Sequence, residues 1–337
     1  MKTLKSLLGG LLLLAALAPV TSCQQKEYRK SEGSVWATTY HITYNADRPL
    51  EDSIQAVFRA VEQSLSPFCE TSLITRINRG DTTVVADSLL QRVFLASQQV
   101  CSLSGGMFDP TVAPLVNLWG FGYKKAETSE PDSAAISAAL AKVGIGRCSL
   151  TPDGRIAKAH PETEFNFSAI TKGYACDVMA DMLRRNGVED YMVEIGGEVA
   201  LGGLNPDGNP WRIMIDAPIA NAQTVQHDRL TVIEPNGRAM ATSGNYRNYR
   251  DTGSGRHGHT ISPTTGRPIA TSTLSATVLA PTGLMADALA TACMALPEKE
   301  ALALVESLPD TDVLLVFADS VTNTWRLVAT PTFPPRH

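Results

Sequence analysis

An aspartate and a threonine four residues apart, Asp287 and Thr291 in MADALATA (285–292), stand out in a run that is apolar from Leu284 through Leu296. On a helix, positions i and i+4 share a face. A carboxylate on an apolar helix costs free energy unless it is paired or holds a cation. A carboxylate and a hydroxyl are hard oxygen ligands of the kind magnesium prefers. The same spacing also fits an aspartate favoured by the helix dipole with a threonine bonded back to its own backbone. A second stretch, SAITKGYACD (168–177), opens a helix with Ser168 as a candidate cap and with Lys172 and Asp177 five residues apart. Unpaired N–H groups and the positive dipole end suit that start to phosphate, although a plain capped helix has the same pattern. The third comprises TSGNYRNYR (242–250) and GHTISPTTGRP (258–268), where tyrosines, arginines and His259 lie in a glycine-rich run. His259 is a candidate base near neutral pH, His257 a further one, and an ordinary polar hairpin with a TTGRP turn the alternative. No Walker or Rossmann glycine pattern is present, so Gly196 and Gly197 mark a close approach of backbone to ligand or strand.

These residues need elements to hold them. Strand alternation runs from Val35 to Tyr44, and helical periodicity over about 50–65 and 88–103, the latter stopping at Gly105-Gly106. The Pro/Gly-rich but apolar segment 107–123 reads as an ordered loop beside a pocket. A helix to about Val143 and short strands to about Asn166 precede the 168–187 helix. Strands are expected at about 190–195, 198–203, 211–216, 229–234, 238–242 and 274–280, followed by a helix over 283–295, a last helix and two closing strands. Segment 243–273 lacks periodicity and is too long for a plain connector, hence functional. No internal repeat and no linker after residue 33 is seen. One α+β domain over 34–337, with a mixed or antiparallel sheet and packed helices, fits this order.

The N-terminus is an address. Lys2 and Lys5 precede an apolar stretch from Leu7 to Leu17, too short to span a bilayer and ending in VTSC. Residues 1–22 therefore read as a signal peptide, Cys23 as the lipidated first residue of an exported chain held to an envelope membrane, and 23–33 as a polar tether. Net charge is −5, which gives no footprint for nucleic acid. The other cysteines, Cys69, Cys101, Cys148, Cys176 and Cys293, are odd in number and lack CxxC spacing, suggesting neither a disulfide framework nor a zinc site.

Seven stretches in order resemble the ApbE family of FAD:protein FMN transferases: SLITRIN (72–78), GMFDPTVAPLVNLWGFG (106–122), FSAITKGYACD (167–177), VEIGGEVALGG (193–203), ATSGNYRNY (241–249), HTISPTTGRP (259–268) and MADALATA (285–292). The resemblance implies a T-fold-like domain with FAD as substrate in an elongated cleft. It implies magnesium on Asp287, Thr291 and the main-chain carbonyl of Ala169. It places Lys172 and Asp177 along the FAD phosphates and ribose, Met107, Asp109 and Gly197 in the cleft wall, Asn78 near the flavin end, and His259 as the base. The implied reaction cleaves FAD, attaches FMN to a Thr or Ser of a partner, such as a flavoprotein subunit of a membrane redox complex, and releases AMP. Hydrolysis to FMN and AMP, and flavin binding without catalysis, are the alternatives. Two positions depart from the family pattern by losing a carboxylate. Asn166 stands where Asp is usual, which bears on a second metal site. Ser262 replaces the Asp of HxxDPxTG, which bears on the loop turn.

Overall fold

Strands β12 (Thr273–Ala280) and β13 (Asp312–Asp319) explain the architecture, because both are buried along almost their whole length. Successive strand residues point to opposite faces, so such a strand needs cover on both sides. The computed structural model, which describes residues 27–121, 130–219, 228–245, 249–252, 255–258, 260–319 and 324–336, shows that cover. Val278, Val313 and Leu315 face a helical layer, while Leu279 and Leu314 face a second, smaller core.

In chain order the elements are β1 (Tyr28–Val35), β2 (Thr38–Asn45), α1 (Glu51–Leu65), α2 (Leu73–Asn78), α3 (Ser88–Leu103), α4 (Ala113–Leu118) and α5 (Ser133–Leu140). Then follow β3 (Ser149–Leu150), β4 (Ile156–Ala157), α6 (Ser168–Arg185), β5 (Tyr191–Ile195), β6 (Glu198–Gly202), β7 (Ile213–Asp216), β8 (Arg229–Ile233) and β9 (Ala239–Gly244). The chain continues through β10 (Tyr249–Thr252), β11 (Gly255–Gly258), β12, α7 (Gly283–Ala295), α8 (Glu298–Glu306), β13 and β14 (Thr324–Ala329). Eight strands form one sheet in the order β1-β2-β5-β6-β9-β12-β13-β14, antiparallel at every junction. Helices α1, α3, α6 and α7 bury the main core against one face; the β7–β8 hairpin brings Ile213, Ile215 and Ile233 to the other. The domain is α+β with a large antiparallel sheet, as the element order suggests.

A third, satellite core holds Leu115, Trp119, Ile136 and Ile261. The Trp119 indole N–H donates to the Gly266 carbonyl at 2.8 Å, fastening loop 260–268 to α4 and α5. Gly266 has φ +69 and a Cβ there would lie 2.6 Å from Ile136, so both conformation and space require glycine.

Two expectations at the N-terminal end are corrected. Residues 28–33, read as tether, belong to β1, which pairs with β2 from Tyr28↔Asn45 to Val35↔Thr38. The segment reads as polar because β1 is an edge strand with little buried surface, Ser31 being its one buried residue. The run from Val35 to Tyr44 is also not one strand. Trp36 and Ala37 both take positive φ (48° and 62°), the conformation of a two-residue hairpin turn normally given to Asn and Gly. Segment 107–123 also carries a short helix, α4, where only a loop was expected. The signal segment, Cys23 and the residues up to 26 lie outside the described residues. Among the described residues no helix is long and apolar enough to cross a membrane, and Cys69, Cys101, Cys148, Cys176 and Cys293 are free thiols.

Candidate active site

The site is built where α6 and α7 touch backbone to backbone. A Cβ on Gly173 would lie 2.1 Å from the Gly283 carbonyl oxygen, and one on Gly283 would lie 2.3 Å from that of Gly173, so only glycine fits at either position. At this contact the Gly173 N–H donates to Asp287 Oδ2 at 3.0 Å. Asp287 is 3 % exposed. Thr291, one turn on, has its Oγ1 3.2 Å from Ser243 Oγ on β9. From α6, Lys172 Nζ reaches Glu198 Oε1, at the start of β6, at 2.7 Å.

Charge is concentrated here. Burial opposes the Lys172 ammonium, but the Asp287 and Glu198 carboxylates outweigh it and hold the group above its usual range. Burial pushes the Glu198 carboxyl up to about 8 against the pull of Lys172. Its Oε2 is buried and has no hydrogen-bond partner, a cost on the order of 1–3 kcal/mol for an unsatisfied polar atom and more for a charged one. Among the described residues no three His, Cys, Asp or Glu side chains cluster as a metal site. A cation here would therefore draw on carboxylate, hydroxyl and backbone carbonyl oxygens.

Around this centre lies a cleft of about 420 Å³, with Met107, Asp109, Ala169, Lys172, Asp287 and Thr291 in its wall, and Glu198 with them. A second pocket of about 420 Å³, mainly apolar, is lined by Trp36, Leu65, Pro67 and Phe68 and shares Ser168 and Lys172 with the first. The two form arms that meet at the N-terminal turn of α6. Phe68 is 71 % exposed at the rim of this second arm.

The sequence-derived candidates divide. Lys172, Asp287, Thr291, Ala169, Met107 and Asp109 come together in the cleft. The Asp109 carboxylate is already engaged by Thr111 Oγ1 (2.6 Å), Thr111 N–H (2.8 Å) and Ile145 N–H (3.0 Å). Burial nevertheless raises its pKa; it shapes the wall by holding the loop. Asn78 is not in either arm. Its carboxamide pairs with both backbone groups of Phe165, donating to the carbonyl and accepting from the N–H, each at 2.8 Å, and so ties α2 to the segment entering α6. Asp177 is also elsewhere: its two oxygens accept from Gly283 N–H (2.7 Å) and Leu284 N–H (2.8 Å), capping α7. Burial raises Asp177 to about 6 despite these bonds. Gly197 sits in the β5–β6 turn with φ +99, its N–H on Glu194 Oε1 at 2.6 Å, and lines neither arm. His259 lies outside the described residues, as do the side chains of Tyr249, Arg250 and His257.

Ser168 does not cap α6; it is the first helical residue. Asn166 Oδ1 accepts from its N–H (3.0 Å) and hydroxyl (2.6 Å), so an amide oxygen serves the helix start where a carboxylate is usual. Ser262 likewise keeps its turn closed, accepting from Thr265 N–H at 3.1 Å while the Gly266 N–H reaches its carbonyl at 2.8 Å. Three site residues escaped the sequence reading. Glu198 had a signal, a carboxylate opening the apolar run VAL, the same cost-of-burial argument that singles out Asp287. Trp36 and Phe68 had none beyond being aromatic.

Comparison with known proteins shows the family. The ApbE family pattern matches residues 36–315. A Vibrio cholerae protein described as FAD:protein FMN transferase is 37 % identical over 307 residues, covering 88 % of this chain and 90 % of its own. A Haemophilus influenzae protein of the same description is 32 % identical, covering 90 % and 91 %. Among solved structures, the flavin transferase ApbE from Vibrio cholerae superposes with a TM-score of 0.80 at 34 % identity, covering 91 % of this chain and 98 % of its own. The apo flavinyl transferase ApbE of Pseudomonas stutzeri gives 0.79 at 31 %, covering 92 % and 96 %. With its family pattern, its relatives and its fold in agreement, the chain belongs to the ApbE family.

Proposed function

We propose that this chain is a magnesium-dependent FAD:protein FMN transferase, anchored through a lipidated Cys23 to an envelope membrane. The observation that carries the reading is the set of oxygen donors gathered at the α6–α7 contact. Asp287, Thr291 and Ala169 line one cleft beside Lys172, and Glu198 Oε2 is buried there without a partner. Asp287, Thr291 and the Ala169 carbonyl supply hard oxygens of the kind a divalent cation prefers. Bound there, magnesium offsets charge on the FAD pyrophosphate.

The chain's own residues do the rest. The two arms meeting at Ser168 and Lys172 suit a dinucleotide, one ring system in each and the phosphates at the junction. The Lys172 ammonium, beside the positive dipole end of α6, stands where that phosphate charge would lie. An acceptor Thr or Ser hydroxyl attacks the FMN phosphorus; the new O–P bond forms as the bond to AMP breaks. His259 takes the hydroxyl proton, and AMP leaves. The acceptor is proposed to be a flavoprotein subunit of a membrane redox complex.

Incubating the chain from Gln24 onward with FAD, magnesium and such a subunit tests the reading by intact mass. An FMN-sized gain on the acceptor, abolished by EDTA and by Asp287→Ala, is expected. Free FMN and AMP without a gain would replace transfer by hydrolysis. Full transfer by Asp287→Ala at saturating magnesium would overturn the metal assignment.

A further inference from the structure

Helices α6 and α7 carry the same short pattern, a glycine followed four residues later by an aspartate: Gly173 and Asp177 on one, Gly283 and Asp287 on the other. The structure makes these two pairs reciprocal. Asp287 accepts from the N–H of Gly173, and Asp177 accepts from the N–H of Gly283 and of Leu284. The glycines between them press carbonyl to Cα, with no room for a side chain on either helix. The bonds to the two aspartates run in opposite senses along the contact, so each aspartate prevents the sliding and rotation that the other alone would allow. Their ends are not equivalent. Asp287 holds Gly173 N–H through Oδ2 alone and lines the cleft. Both oxygens of Asp177 are used, on the far side of α6 from that cleft.

We infer that Asp177 is a positioning residue for the cation-binding face of α7: it locks the first turn of that helix onto α6 and thereby sets Asp287 and Thr291 opposite Lys172. The inference rests on the metal reading of the site above and deepens it. Asp177 touches neither the cleft nor any reacting group. It acts through the register of one helix against another, as supporting hydrogen bonds orient a ligating carboxylate. Thr282 supplies an internal control. Its Oγ1 caps the same helix by accepting from Met285 N–H at 3.3 Å, but it forms this bond within α7 and does not bind α7 to α6.

The test compares Mg2+ binding, followed calorimetrically with and without FAD, in wild type, Asp177→Asn and Thr282→Ala, with thermal melts alongside. Asn keeps one acceptor but turns an N–H2 toward the second backbone N–H, which opens the clamp. The expected result is a Kd for Mg2+ raised about 10- to 100-fold in Asp177→Asn, the range seen when supporting hydrogen bonds to metal ligands are removed. Thr282→Ala should keep the wild-type Kd while melting earlier. If Asp177→Asn fails to fold, Asp177→Glu takes its place, with charge and both acceptors kept but one methylene too long for the clamp. Wild-type affinity in the Asp177 variant would overturn the inference. So would equal weakening in both variants, which would make frayed helix ends the cause. Failure of the wild-type chain to bind Mg2+ would instead remove the metal reading, and the clamp's part in it.

Discussion

At the scale of single residues, the candidate site shows what a charge or a ring does once it is surrounded. Asp287 and Glu198 are similar side chains in similar burial, yet one was found from its helix and the other only from the folded site. Phe68 is the opposite case. It is 71 % exposed at the rim of an apolar pocket with Trp36. Phe68→Ala should therefore keep the wild-type melting temperature while weakening FAD. Loss of an aromatic contact worth about 0.5–1.5 kcal/mol raises the KM for FAD by roughly two- to tenfold. Steady-state kinetics at saturating magnesium, with a melt of the same sample, would check this; an unchanged KM would mean that this arm holds neither ring. Trp36 reaches the same rim from a turn in which it and Ala37 both have positive φ. Non-glycine residues in that conformation cost on the order of 1–3 kcal/mol and gather at functional sites.

At the scale of elements, helical spacing carried most of the legible information. Helices α1, α3, α6 and α7 begin and end within a residue or two of where periodicity, glycine stops and proline place them. The same geometry explains why Lys172 and Asp177 face different ways. Four residues turn a helix by about 40° beyond a full turn, which keeps Asp287 and Thr291 on one face. Five residues turn it by about 140°, so Asp177 points away from Lys172 into another groove. Strand β1 was missed because an edge strand needs few apolar residues, whereas α7 could not be missed because almost every residue on it is buried. The close crossing of α6 and α7 gives a direct prediction. Gly173→Ala puts a methyl 2.1 Å from a carbonyl oxygen that belongs to backbone and cannot rotate away. Overpacking of this kind costs about 1–3 kcal/mol. Chemical denaturation should show that loss together with loss of transfer, and a variant as stable and active as wild type would mean that the helices stand further apart.

For the molecule as a whole, stability against acid depends in part on how the C-terminal end is tied to the sheet. Asp312, buried at the start of β13, accepts from Thr330 Oγ1 (2.5 Å), Thr332 Oγ1 (2.6 Å) and Arg238 Nη1 (2.6 Å). Burial favours its protonation, but these hydrogen bonds and the guanidinium outweigh it and hold the carboxyl below its usual range. A carboxyl whose pKa is depressed by folding gives stability that is present above the unfolded value, near 4, and is lost as pH falls through the lower folded value. Wild type should therefore lose melting temperature more steeply than Asp312→Asn as pH is lowered beneath about 4. Parallel slopes in the two proteins would show that the cluster has no such linkage.

The sequence by itself determined the order and type of most elements, the oxygen-bearing face of α7 and the family. Each of these depends on neighbours within a few turns of one helix or on motifs read in order. Tertiary structure decided which of those residues meet. Trp36, Phe68, Lys172, Glu198, Asp287 and Thr291 come from widely separated parts of the chain. They converge because two glycines let α6 and α7 touch at the backbone and because the β5–β6 turn delivers Glu198 beneath Lys172. Local periodicity says which way a side chain points from its own element. It does not say what lies opposite, and the unpartnered oxygen of Glu198 and the capping role of Asp177 exist only across that gap.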